Sequence, residues 1–112
     1  MCLPGTSAYS RAIQAELQCR GFLVDSERPV NTWFTTSSGQ VHLIGPDRCD
    51  LLARHTTQNP IVIELKVRKP TASDAAQLRR YIKAFSKELK VPIAGVLVYL
   101  LADNVVIKWA DE

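Results

Sequence analysis

The chain has 112 residues, 46% of them hydrophobic and 22% charged, a balance that suits one globular domain over 1–112 with its own core and excludes a disordered chain. A formal net charge of +3 permits a polyanionic partner without requiring one, and no apolar run reaches the roughly 18 residues that cross a bilayer. Cys2, Cys19 and Cys49 are odd in number and far apart, and His42 and His55 share no ligand spacing with them. A disulfide framework and a zinc site are therefore both set aside, and a soluble cytoplasmic protein with reduced thiols is expected.

In chain order, Ala8, Ala12, Ile13, Ala15 and Leu17 recur at helical spacing between Ser7 and Arg20, with Gly21 at the stop. "GFLVDSERPV" predicts a short strand and a turn, and "NTWFTTSSG" a second strand closed by Ser38 and Gly39. "VHLIGPDRCDLLAR" reads as a strand broken at Gly45 and Pro46, with 49–55 either a separate strand or the same one resumed after a bend. The polar "HTTQNP" joins it to a strand over 61–68, and the pair suggests a hairpin. Pro70 ends that strand. Thr71 or Ser73 can cap a helix whose Ala75, Leu78, Ile82, Phe85 and Leu89 form one apolar stripe. "IAGVLVYL" reads as a buried strand and "NVVIKWA" as a last one near the edge, so the order predicts an α/β sandwich around a mixed sheet.

Chemistry concentrates in "IVIELKVRKP". Side chains alternate along a strand, which places Val62, Glu64, Lys66 and Arg68 on one face and Ile61, Ile63, Leu65 and Val67 on the other. The second face reads as core and the first as a display of charge. Paired as a hairpin, the strand before it brings Asp50 near Glu64, and two close carboxylates repel unless a cation lies between them. Hard oxygen donors of this kind suit Mg²⁺ or Mn²⁺, with Lys66 beside a bound phosphate. Asp47, in "GPD", competes with Asp50 for that role; Asp50 has the apolar downstream stretch and the better spacing to Glu64.

Asp50, then "ELK", then Gln77 and Tyr81 in "QLRRY" resemble the PD-(D/E)XK nuclease superfamily in its D…ExK…QxxxY form. Gln77 and Tyr81, spaced i, i+4, lie at the flank of the helix stripe. Over most of the chain, "YSRAIQAELQCRGFLVDSERPV", "RCDLLA", "IVIELK", "AQLRRY" and "GVLVYL" are similar to the family named for its GxxExxY motif. The "DLL…VIELK…QLRRY" portion is equally similar to the nuclease domain of archaeal and actinobacterial mismatch endonucleases. The resemblance implies a restriction-endonuclease-like three-layer sandwich with a central mixed sheet flanked by helices, and Mg²⁺-dependent cleavage of nucleic acid. With Tyr9 as the motif tyrosine, Thr6 stands where that family has glutamate and Leu3 where it has glycine. Glu16 is the candidate substitute for the missing acid.

The expected activity is thus a structure-selective DNA endonuclease, although the residues do not choose between DNA and RNA. Asp50, Glu64 and the Leu65 carbonyl would hold the metal, and Lys66 and Gln77 would complete the catalytic set. Arg68, Lys69 and Tyr81 are the candidate nucleic-acid contacts. So small a chain has little surface for sequence recognition, which makes a homodimer a further expectation. The competing expectation is a non-catalytic nucleic-acid or protein-binding module that keeps the nuclease fold.

Overall fold

A computed structural model describes residues 6–110, except the side chains of Thr6, Ser7 and Pro46. Two helices and five strands follow in the order α1 (Thr6–Cys19), β1 (Leu23–Thr35), β2 (Val41–His55), β3 (Gln58–Lys66), α2 (Ala72–Leu89), β4 (Ala94–Leu100) and β5 (Val105–Trp109). The strands form one sheet in the order β1-β2-β3-β4-β5. All neighbours are antiparallel except β3 and β4, which run parallel because α2 carries the chain back across the sheet between them.

Each helix covers one side of the sheet, giving three layers. Ile13 and Leu17, four residues apart on α1, pack on Leu51, Ala53, Ile63, Leu65 and Val96. On the opposite side Leu78, Tyr81 and Phe85 of α2 meet Val30, Cys49, Leu52, Val62, Leu97 and Tyr99. The restriction-endonuclease-like sandwich expected from the sequence is the fold found. No helix among the described residues is long and apolar enough to cross a membrane.

Local chemistry sets the ends of both helices. Gly21 has φ +91, its N–H donates to the Gln18 carbonyl at 3.0 Å, and the Phe22 N–H donates to the Leu17 carbonyl at 3.0 Å. This paired pattern closes α1, with Phe22 and Leu17 packed on the same core. At the N-terminus of α2 Thr71 is the capping residue, and its N–H donates to Asp74 Oδ2 at 3.0 Å. The helix ends at Lys90, left-handed at φ 57. A side chain with a Cβ is disfavoured there, so Lys90→Gly should raise stability by about 1 kcal/mol in urea unfolding.

Two expectations about strands need correction. β1 is one 13-residue strand instead of a strand, a turn and a second strand, and Pro29 is tolerated because β1 lies at the sheet edge. β2 likewise runs 15 residues through Gly45 and Pro46. The break is a one-residue bulge: Thr32 pairs with Gly45 but Trp33 pairs with Leu43, leaving Ile44 over. β3 engages β2 only from Leu51 onward, so at Pro46 β2 has β1 alone as a neighbour and a missing N–H is harmless.

The two faces of β3 also differ from expectation. Both are buried: Val62 and Glu64 are 0% and 3% exposed because α2 lies over them, and Ile63 and Leu65 are covered from the α1 side. The helix comes close. A Cβ built on Gly95 of β4 would stand 2.4 Å from Ile82 Cδ1, closer than packed carbons come, and 3.1 Å from Leu78 Cδ1, tighter than most. Gly95→Ala should therefore force the Ile82 and Leu78 side chains out of their present positions against the sheet and cost about 1–3 kcal/mol in chemical denaturation.

Candidate active site

The site begins where a strand pair comes apart. The β2–β3 ladder ends at Leu51↔Ile63, and the next residues outward are Asp50 and Glu64. Side chains replace the ladder there: the Asp50 N–H donates to Glu64 Oε1 at 2.9 Å, and the Leu65 N–H donates to Asp50 Oδ2 at 2.7 Å. Each carboxylate thus holds a backbone donor of the opposite strand with one oxygen, which brings the two acids together. β1 shares in the distortion. Glu27, which falls between the pairs Ser26↔Leu51 and Arg28↔Cys49 and so opposite Asp50, has a left-handed φ of 49. As a result Cys49 and Leu52, which strict alternation would separate, both join the α2-side core.

Burial sets the electrostatics. Glu64 is 3% exposed; desolvation, and then the neighbouring Asp50 charge, raise its carboxyl from 4.5 to about 8. Without a metal, Glu64 holds a proton at neutral pH. Two oxygen acids that resist ionising together fit a hard divalent cation, which would displace that proton. Asp50 and Glu64 are the residues that would hold it, and the described residues contain no cluster of three or more His, Cys, Asp or Glu side chains. The Cys49 thiol is pushed up to about 12 by burial and then by the Glu64 charge, which makes it an inert core group.

Lys66, one alternation beyond Glu64, points to α2 and donates from Nζ to Gln77 Oε1 at 3.0 Å. Gln77 is half-buried on the first turns of α2, so its amide oxygen fixes where the amine stands. Asp50, Glu64, Lys66 and Gln77 are thus brought together at the β2–β3 fork and the facing helix.

Other candidate residues stand elsewhere. Tyr81 is 1% exposed in the α2 core, and burial with the Glu64 charge raises its phenol, so it is a packing residue and not a contact for nucleic acid. Arg68 does not offer its guanidinium to phosphates: it grips Asp74 through two bonds of 3.0 and 2.6 Å. Lys69 is exposed. Glu16 is exposed on α1, across the sheet from Lys66, and pairs with Arg20 at 2.9 Å, so it cannot replace the missing acid. Asp47 pairs in register with Val30, three residues before Asp50 on β2. Leu3 lies outside the described residues, as does the side chain of Thr6.

Asp74 was not anticipated. It is 2% exposed and accepts from Arg68, from the Thr71 N–H and from the Tyr99 hydroxyl at 2.9 Å, with the Arg68 guanidinium foremost in holding its carboxyl well below the usual range. The signal was present as "TASD", an acid three residues after a helix-capping threonine. This knot pins the start of α2 to the end of β3 and so sets the Lys66–Gln77 distance.

Comparison with known proteins agrees with this fold. The chain resembles the crystal structure of SSO0001 with a TM-score of 0.68 at 23% identity, over 92% of this chain and 48% of that one. It also resembles a repair endonuclease from Pyrococcus abyssi with a TM-score of 0.54 at 20% identity, over 92% of this chain and 41% of that one. The chain therefore spans about half the length of the solved structures it matches, and likeness at this identity concerns the fold. No curated protein matches. A model of the PD-(D/E)XK nuclease superfamily matches residues 5–98, which include the whole fork, Lys66 and Gln77, and the chain belongs to that superfamily.

Proposed function

We propose that the protein is a Mg²⁺- or Mn²⁺-dependent nuclease that hydrolyses phosphodiester bonds in DNA, acting as a structure-selective endonuclease through one domain over 1–112. The observation that carries this reading is the interlocked pair Asp50 and Glu64 at the β2–β3 fork, with Lys66 held beside it by Gln77. Nucleases of the superfamily generally use divalent metal ions, and the donor set here suits one. When bound, the ion would neutralise charge on the scissile phosphate and lower the pKa of a bound water. Asp50, Glu64 and the Leu65 carbonyl are its proposed ligands.

The chain's own residues supply the rest. Lys66 Nζ, oriented by the Gln77 amide, donates to a phosphate oxygen or to the attacking water and stabilises the charge that builds during in-line attack. Lys69, exposed just past β3, can meet a flanking phosphate. The sequence likeness to the GxxExxY-type family and to mismatch endonuclease nuclease domains supports a nucleic-acid substrate. The proposed quaternary state is a homodimer, supported by the outer β1–β2 hairpin, where Phe34, Leu43 and Ile44 are 49 to 57% exposed. Light scattering at working concentration should give twice the monomer mass, and a monomer mass would remove that part.

The test is incubation with supercoiled, linear and branched DNA in Mg²⁺ and in Mn²⁺. Cleavage is expected, with Lys66→Ala slower by about 10²- to 10⁴-fold. Binding of DNA with no cleavage in either Mg²⁺ or Mn²⁺ would favour a non-catalytic module instead, and equal cleavage by Lys66→Ala would refute the assigned role.

A further inference from the structure

A second feature lies along α2, away from the fork. Between the outer face of α2 and the β1–β2 hairpin runs a groove of ≈ 360 Å³, lined on the helix side by Arg80, Lys83 and Lys87 and on the strand side by Thr32 and Trp33. The three cations are exposed, and none forms an ion pair among the described residues, whereas Arg20, Arg28, Arg54 and Arg68 are each bonded to a carboxylate. Trp33 is 58% exposed, an unusual setting for the largest apolar side chain. Thr32 is 3% exposed, and its hydroxyl has no hydrogen-bond partner among the described residues. The hydroxyl itself is sealed from solvent, so Thr32 shapes the wall of the groove without offering a contact.

These features share one complement. A row of unpaired cations attracts a polyanion, and an exposed indole offers a face to a flat ring. A protein partner would match the aromatic ring but not the cation row, and an intact duplex would match the cations but keep its bases away from the indole. Single-stranded nucleic acid supplies both phosphates and unstacked bases. The groove also has the right address. Arg80 lies about one helical turn beyond Gln77 and Lys87 about 15 Å beyond it along the axis, so a strand in the groove leads to the fork.

We propose that this groove binds a single-stranded segment of the substrate, with Arg80, Lys83 and Lys87 on phosphates and Trp33 stacked on a base. The proposal rests on the nuclease reading for its substrate, and it makes the protein selective for ends, flaps or splayed junctions over plain duplex.

The experiment measures binding apart from cleavage. Anisotropy of a fluorescein-labelled oligothymidine of roughly 15 nucleotides, and of a blunt duplex of equal length, is followed in EDTA with wild type, Glu64→Gln, Trp33→Ala, Trp33→Phe and the double variant Lys83→Ala/Lys87→Ala. Wild type and Glu64→Gln should bind the single strand more tightly than the duplex. Trp33→Ala should weaken single-strand binding on the order of tenfold or more, with Trp33→Phe recovering much of it. The double lysine variant should flatten the salt dependence by about 0.7 per lost phosphate contact. In a Trp109→Phe background the remaining indole emission should be quenched at saturation. Unchanged single-strand affinity in Trp33→Ala would overturn the proposal, as would equal preference for duplex. A Trp33→Ala change that splits a dimer while leaving binding intact would assign the groove to a protein interface and would also overturn it. Because no metal is present, these outcomes are independent of cleavage: a groove that binds single strands in a protein that cuts nothing refutes the nuclease reading alone, and cutting with Trp33-independent binding refutes the groove alone.

Discussion

Glu64→Gln should abolish metal-dependent cleavage, by about three orders of magnitude, and at the same time make the metal-free protein more stable at pH 8. Both effects follow from a carboxyl that is 3% exposed and faces Asp50. The sign is fixed by linkage. The unfolded glutamate ionises near 4.5 and the folded one near 8, so between these values the unfolded chain binds fewer protons and wild-type stability falls as pH rises, levelling off above about 8. The interval sets a ceiling of about 5 kcal/mol, and relaxation of the fork will reduce it to a few. Glutamine keeps the oxygen that accepts the Asp50 N–H but does not titrate. Thermal melts in EDTA should therefore show a Tm advantage for Glu64→Gln that grows from pH 5 to pH 8. Mg²⁺ should raise the wild-type Tm and leave the variant unchanged. A variant less stable than wild type at pH 8 in EDTA would show that burial does not press on this carboxyl.

Asp74→Ala should destabilise the fold by about 3 kcal/mol and lower cleavage although Asp74 touches no substrate. Asp74 is the shared acceptor for Arg68, the Tyr99 hydroxyl and the Thr71 N–H. Removing it leaves a buried phenol without an acceptor and the Thr71 N–H at the start of α2 without its partner. The cost falls at the low end for a broken buried ion pair because Arg68, about half exposed, regains water. With α2 loosened, Gln77 no longer fixes Lys66, so kcat should fall more than KM rises. The pH dependence is opposite to that of Glu64: an acid held below its ordinary 3.8 contributes stability above that pH and loses it as pH falls through the folded value. Urea midpoints should thus drop below pH 4 in wild type and much less in Asp74→Ala. Equal acid sensitivity of the two proteins would show that the Arg68–Asp74–Tyr99 knot does not hold the helix.

How far the site was legible depends on how local its signals are. Glu64 and Lys66 are two residues apart on one strand, and the apolar run that flanks them announces that strand, so their shared face needed no tertiary information. Asp50 could be placed because a short polar turn, Thr56 and Thr57 in the structure, makes a hairpin whose register aligns it with Glu64. Gln77 came from the family pattern and lies where that pattern implies, on the α2 turn facing Lys66.

Other features belong to the assembled sheet. Gly45 and Pro46 carry the local chemistry of a break, yet the pairing of β1 along the whole of β2 absorbs them as a bulge, an outcome set by the partner strand. Likewise the expectation that Glu64 faces outward counted alternation correctly but could not see that α2 would cover that face. Arg68 looked like a phosphate contact because it follows the ELK triplet; its commitment to Asp74 depends on a helix start six residues later folding back on it. Tyr81 shows the same limit, since a tyrosine at the edge of an apolar stripe lies in the core or on the rim according to a helix rotation no pattern records.

Crystals soaked in Mn²⁺ and measured for anomalous scattering test the proposed chemistry most directly. The expected result is a peak in contact with carboxylate oxygens of both Asp50 and Glu64, absent from crystals of Asp50→Asn. A peak elsewhere, or none between these two groups at saturating Mn²⁺, would contradict the assignment of the β2–β3 fork as the catalytic metal site.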